Sequence, residues 1–171
     1  MTINLKTAAL AAAVAMTATA GAAKSIVDIA AGDERFSTLV AAVSAAGLVD
    51  TLSGPGPFTV YAPVNDAFAA LPEGTVEELL KPENRDQLVA VLTYHVDDRE
   101  LAASDFAEGA NYYKPVNTAE RLCIDASSAG VSITDSTGEA ANVIIANIEA
   151  DNGIIHVIDK VLLPGARPAC H

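Results

Sequence analysis

Apolar residues recur along this chain at two spacings, and the change from one to the other divides it. Between residues 25 and 109 they fall three or four apart, the period of a helix face, and beyond Gly109 they alternate, the period of a pleated strand. In the first part, Ser25 is placed to cap a turn over residues 26–31. Asp33 is placed to cap a helix in which Phe36, Leu39, Val40 and Val43 form one stripe. Gly47 stands where a left-handed C-terminal glycine is expected, with Leu48 as its apolar contact, and Val49 and Leu52 extend a short apolar turn into the loop 53–57. Residues 58–62, bounded by Pro57 and Pro63, read as the first strand, with Phe58, Val60 and Ala62 on one face and Thr59 and Tyr61 on the other. Asn65 or Asp66 is expected to cap a one-turn helix carrying Phe68 and Leu71. Thr75 with Glu78 forms a capping box for a helix that Pro82 stops. Asn84 opens a further helix whose stripe of Leu88, Val89, Val91 and Leu92 runs into Tyr94-His95. Residues 97–100 then read as a charged surface turn and 101–106 as a short helical piece.

The second part reads as strands over residues 112–117, 121–125, 131–134 and 142–150, with turns at 127–130 and 136–138. Residues 152–164, Asn-Gly-Ile-Ile-His-Val-Ile-Asp-Lys-Val-Leu-Leu-Pro, open on a hairpin signal. The run that follows is apolar on both faces, with Ile155 and Val157 on one and Ile154, His156 and Ile158 on the other, and Pro164 ends it. A strand apolar on both sides needs a packing partner on each, so helices and preceding strands should be laid against it. Helices first and a strand meander second predict an α+β domain with a mostly antiparallel sheet.

The 171 residues suit one domain with a proper core. Residues 1–22 place one lysine, Lys6, before the apolar run 8–16 and the small residues Ala20-Gly21-Ala22, which is the layout of a signal peptide. The expected organisation is therefore a signal peptide over 1–22 and one domain over 23–171, its core at 25–164 with a short C-terminal tail. A net charge of −12, one unit more negative without Lys6, argues against nucleic acid and anionic headgroups as partners, and no membrane insertion is expected. Cys123 and Cys170 form an even pair in an exported chain, so a disulfide is plausible, and two unpaired thiols remain the other possibility.

Candidate chemistry adds little. The three histidines, His95, His156 and His171, stand with no serine in a nucleophile-elbow context, and phosphate-loop, dinucleotide and zincin motifs are absent. His95, near a helix end, reads as a hydrogen-bonding residue. His156 and Asp159, three apart on a strand, point to opposite faces, and Asp125, Asp135 and Asp151 read as solvated turn residues. Neither a metal nor a cofactor is expected, and the chain reads as no enzyme.

Two stretches, Phe-Thr-Val-Tyr-Ala-Pro-Val-Asn-Asp-Ala-Phe at 58–68 and the run at 152–164, with Tyr94-His95 between them, resemble the fasciclin (FAS1) domain family in order and spacing. Thr59, Pro63, Asn65, Asp66, Phe68, Asn152, Gly153, His156 and Asp159 are the motif positions. The resemblance implies a β-wedge of twisted sheets with α-helices against it. It also implies a non-catalytic adhesion module that binds a cell-surface protein or a polysaccharide; the short, Ala-rich signal sequence adds a secreted or periplasmic, bacterial-type setting, and a monomer is expected. The alternatives weighed beside it are a small-ligand or polysaccharide-binding protein and a hydrolase of unrecognised site. By the same resemblance, binding is expected at Asn147, Ile148, Glu149 and Asp151, just before the second block, and at Tyr94 and His95. Some animal members bind integrins there through an Asp-Ile pair. Ile148 matches its second member, while Asn147 replaces the acid that meets the receptor's metal ion.

Overall fold

β7 (Gly153–Ile158) is buried at every position. In the computed structural model, which describes residues 24–117 and 119–170, this strand is flanked by β1 (Phe58–Pro63), parallel to it, and by β6 (Ala140–Ala150), antiparallel to it. With β2 (Val96–Asp97), β3 (Gly109–Tyr113), β4 (Leu122–Ser127) and β5 (Gly130–Thr134), they make one curled sheet ordered β2-β1-β7-β6-β5-β4-β3, in which the pair β1 and β7 alone is parallel among the described strands. The α+β architecture is as the periodicity predicts.

Alternation along β1 and β7 builds two cores. Val60, Ala62, Ile155 and Val157 face α1 (Ile26–Ala31), α2 (Ser37–Ala46) and α6 (Arg85–Tyr94), and bury Ile26, Phe36, Leu39, Val43, Leu88, Val91 and Leu92. On the other side, Tyr61 and Ile158 meet Tyr94, Phe106, Leu122, Ile124 and Ile133. Each such side chain is worth about 1.5–3 kcal/mol of apolar burial, so the sheet is held from both faces. Three short helices, α3 (Val49–Ser53), α4 (Asn65–Ala69) and α5 (Thr75–Leu80), complete the helical layer.

Local signals held at several ends. Ser25 and Asp28 form a capping box, and Gly47 takes φ 71° while the Leu48 N–H returns to the Val43 carbonyl. Elsewhere other partners took the side chains. Asn65 and Asp66 do not cap α4, which extended Val64 precedes. The Asn65 carboxamide instead accepts from Thr38 N at 3.1 Å and donates to the Glu34 carbonyl at 2.8 Å, capping α2 from outside. Thr75 makes no capping box, because Gly74, at φ 83°, precedes α5 and Glu78 pairs with Lys81. Asn84 likewise donates to the Glu78 carbonyl at 2.7 Å rather than capping α6.

Other expectations need correction. Asp97 belongs to β2 and is buried, holding Arg99 in a bidentate pair at 2.8 and 2.6 Å, so residues 97–100 are not a purely solvated turn. Asp135 is buried too, accepting from Thr137 N at 2.9 Å and Leu163 N at 2.8 Å. Only Ala103–Asp105 of residues 101–106 is helical, as a 3-10 turn, and β3 ends at Tyr113, earlier than the expected 117. The run to Pro164 leaves the sheet after Ile158, where Asp159 Oδ1 accepts from Asn142 N at 2.8 Å; Val161 and Leu162 stay buried outside the ladder. The hairpin turn is Asp151-Asn152, one residue before the predicted pair, since Ala150 pairs with Gly153. Gly153 is needed for a different reason: a Cβ there would fall 1.9 Å from the Phe58 carbonyl oxygen.

Cys123 and Cys170 are disulfide-bonded across 47 residues, a closure worth roughly 4 kcal/mol in the chain-entropy model. The tail is also held by the Tyr112 hydroxyl, which donates to the Pro168 carbonyl at 2.9 Å, and by Arg167, 3.9 Å over the Tyr112 ring. The signal-peptide reading of residues 1–22 and His171 lie outside the described residues.

Candidate functional site

The Tyr94-His95 pair comes at the end of α6, where the last turn exposes carbonyls that need donors. His95 Nδ1 lies 2.8 Å from the Val91 carbonyl, which can only accept, and Nε2 lies 2.8 Å from the Leu162 N–H, which can only donate. The tautomer is therefore fixed, with the proton on Nδ1. Burial holds the ring neutral and brings its pKa down to about 4, against the opposing pull of the Val91 carbonyl and Asp135. Tyr94 donates to the Arg121 carbonyl at 2.8 Å, and burial raises its phenol pKa. Both residues are sealed from solvent, so a binding role for them has no surface to act through. Chemically they are struts between α6, the segment before β4 and the buried segment 161–162.

The other motif residues join backbone to backbone in the same way. Thr59 Oγ1 donates to the Arg99 carbonyl and accepts from Leu101 N at 2.8 Å. Asn152 gathers three elements: its Oδ1 accepts from Ile26 N at 2.9 Å, and its Nδ2 donates to the carbonyls of Leu52 at 2.7 Å and Gly54 at 2.9 Å. Its own carbonyl accepts from Phe58 N at 3.0 Å. Asp159 holds the Asn142 amide, Pro63 closes β1 opposite Ile158, and Phe68 fills the helix-side core, while Asp66 is left exposed. His156 donates from Nε2 to the Leu101 carbonyl at 2.7 Å and accepts on Nδ1 from Asn147 N at 3.3 Å. Its ring lies 6.0 Å from Tyr61 and 5.6 Å from Phe106, and burial lowers its pKa. The Tyr61 hydroxyl is buried with no hydrogen-bond partner among the described residues, and burial raises its pKa.

Of the six residues expected to bind, the structure leaves Asn147, Glu149 and Asp151 exposed and Ile148 half-buried opposite Ile155. They sit on the second half of β6. β5 pairs with β6 only through Ala140, Ala141 and Asn142, and the register with β7 slips twice between Val143 and Ile148. Asn147 takes φ 58° in the second slip, and its Oδ1 accepts from Ala103 N at 2.8 Å. Sequence reading missed the neighbouring Ile144 and Ile145, which are 52% and 38% exposed. The signal was present: two adjacent isoleucines in a strand cannot both face one core.

Open hollows of about 290 and 370 Å³ lie beside Asp135, Thr137, Glu139 and Lys160 and beside Ser25, Asp28, Asp151 and Asn152, while the cavities of the helix-side core are smaller and apolar. One of about 30 Å³ in that core is lined by Phe36, Val43, Leu92, Ile155 and other apolar groups, with His95 at its wall. No group of three His, Cys, Asp or Glu side chains that could hold a metal occurs among the described residues, and no helix of these residues is long and apolar enough to cross a membrane.

The fold and these motifs have counterparts. Residues 34–164 match the family model of the fasciclin domain. Protein sll1483 of Synechocystis is 50% identical over 152 residues, covering 89% of this chain and 80% of that protein. Porcine transforming growth factor-beta-induced protein ig-h3 is 37% identical over 83% of this chain, which spans 20% of that longer protein. The immunogenic protein MPB70 of Mycobacterium bovis is 32% identical, covering 80% of this chain and 67% of its own. A FAS1 domain pair from the insect cell adhesion molecule fasciclin I shares the fold, at 22% identity and a TM-score of 0.55 over 71% of this chain and 42% of that one. With the strut residues, the two-faced β7 and the match over residues 34–164 in agreement, the chain belongs to the fasciclin (FAS1) domain family.

Proposed function

We propose that this chain is an exported, non-catalytic adhesion or surface-interaction module that binds a cell-surface protein or a polysaccharide through the outer side of β6 and the turn after it. One observation carries the reading: Ile144, Ile145 and Glu149 are exposed on a strand whose ladder beyond Asn142 is paired on one side only, with Asp151 exposed in the turn after it. Such an edge offers backbone groups to a partner, and the acids select a cationic or metal-bearing one. Export is supported by the disulfide and by the layout of residues 1–22. A non-catalytic role is supported by the placing of the groups whose proton affinity is most displaced: His95, Tyr61 and Tyr94 lie in cores and not at the mouth of a cleft.

The test is capture on the immobilised protein of cell-surface protein and polysaccharide fractions. Capture should weaken with salt, because exposed charges are screened over about 8 Å at physiological ionic strength. It should be lost in the double variant Glu149→Lys, Asp151→Lys. Unchanged capture by the folded double variant would place the site elsewhere.

A further inference from the structure

We propose that His156 is an acid-sensitive latch on the β6 bulge: the neutral ring holds Asn147 and the 101–103 segment together, and its protonation releases both while the rest of the domain stays folded. The latch would regulate the segment proposed above for recognition, and in that respect it rests on that reading.

The geometry is two-sided. Nε2–H donates to the Leu101 carbonyl at 2.7 Å, so in the neutral ring Nδ1 carries only a lone pair, and it is this lone pair that receives the Asn147 N–H at 3.3 Å. The β6 ladder is already broken between Ile145 and Ile148, so Asn147 relies on the ring and not on β7 for that bond. Asn147 in turn holds Ala103 N through Oδ1 at 2.8 Å, and it does so in a left-handed conformation, φ 58°, which asparagine tolerates better than most residues but which still depends on such contacts. A second proton can be placed only on Nδ1, where it points at the Asn147 N–H. Two donors face each other, the Leu101 bond survives and the Asn147 bond does not.

Among the described residues, the surroundings give the added charge no counterion. Facing the ring are Tyr61 from β1, stacked at 6.0 Å, Phe106 at 5.6 Å and Leu101 from the connection between β2 and β3, and Asn147 from β6. Beyond Tyr61 lie Asp97, already paired with Arg99, and Tyr113; Asp105, in the adjoining turn, accepts from Ala102 N. Relief is nearest on the outer side, because Asn147 is exposed and its N–H can turn to water. Burial lowering the His156 pKa fits this setting.

The test follows backbone amide protection, corrected for the intrinsic pH dependence of exchange, alongside the C–H resonances of the His156 ring. As the ring charges, Asn147 and Ala103 should lose protection about ten-fold or more, while Val60 and Val91 keep theirs. Charging of the ring with no change at Asn147 and Ala103 would overturn the latch, and so would simultaneous loss at all four. In His156→Gln the response should vanish. If that variant does not fold, Asn147→Gly serves: glycine accepts φ 58° but frees Ala103, so the bulge yields more easily and the His156 midpoint should rise by about half a pH unit or more. An unmoved midpoint would overturn the coupling. If the amides respond while Glu149→Lys, Asp151→Lys leaves capture intact, the latch stands and the recognition reading falls. If that variant abolishes capture but the amides are flat, the reverse holds.

Discussion

His95 and His156 are both buried, both neutral, and each accepts one backbone N–H while donating to one backbone carbonyl, yet what lies on the accepting side differs. Behind His95 is Leu162, itself buried in the core with Tyr61 and Ile158. Behind His156 is Asn147, exposed on a bulge. The same hydrogen-bond pattern therefore makes a fixed strut in one place and a releasable contact in the other. The chemistry of the ring matters less than whether the donor it holds can reach water.

Removing the strut should do the most damage. His95→Ala leaves the Leu162 N–H and a ring-sized void inside, at a cost of about 3 kcal/mol, or roughly 6–12 °C of Tm in a thermal melt. An unchanged melting temperature would erase the difference between the two sites.

Acid should show nearly as much. The folded pKa of His95, about 4, lies below its unfolded value of about 6.5, so between these the unfolded chain binds more protons and stability falls as pH falls. Its contribution is complete above pH 6.5 or so and gone below about 4, a loss of about 3 kcal/mol, with His156 adding in the same direction. Denaturant midpoints measured across this window check it, and His95→Gln should flatten most of the slope.

Asn65→Ala probes a smaller strut, the side chain that serves α2 from α4. Losing its bonds to Thr38 N and the Glu34 carbonyl should cost about 1 kcal/mol, read from the same melts. Glu149→Lys with Asp151→Lys should leave stability within about 0.5 kcal/mol of the parent, since both acids are exposed.

How far the sequence foretold this depended on where each side chain's partner lies. The two-faced β7, the alternation of β1 and the caps at Ser25 and Gly47 were legible because local periodicity and near neighbours decide them. Asn65 misled because its expected role was local and its actual partners lie across a helix contact, whereas at Thr75 and Asn84 a different near neighbour took the bond: Glu78 pairs with Lys81, and Asn84 donates to the Glu78 carbonyl. Asp97 and Asp135 read as surface because charge alone was visible; burial came from Arg99 beside one and from the Leu163 amide, distant in sequence, on the other. For the candidate site, Asn147 to Asp151 could be named, but the bulge that exposes Ile144 and Ile145 depends on where β5 stops pairing. The adjacent isoleucines show that one of them must turn outward, but the local pattern of β6 does not record where β5 stops.

Buried motif residues hold the domain, and the outer half of β6 is the surface proposed to meet the partner. Capture per folded molecule, measured side by side for the parent, His95→Ala and Glu149→Lys with Asp151→Lys, tests it directly. His95→Ala should melt lower yet bind as the parent does below its melting temperature, and the charge-reversed protein should melt as the parent does yet fail to bind. Lost binding in folded His95→Ala together with full binding in the charge-reversed protein would contradict it.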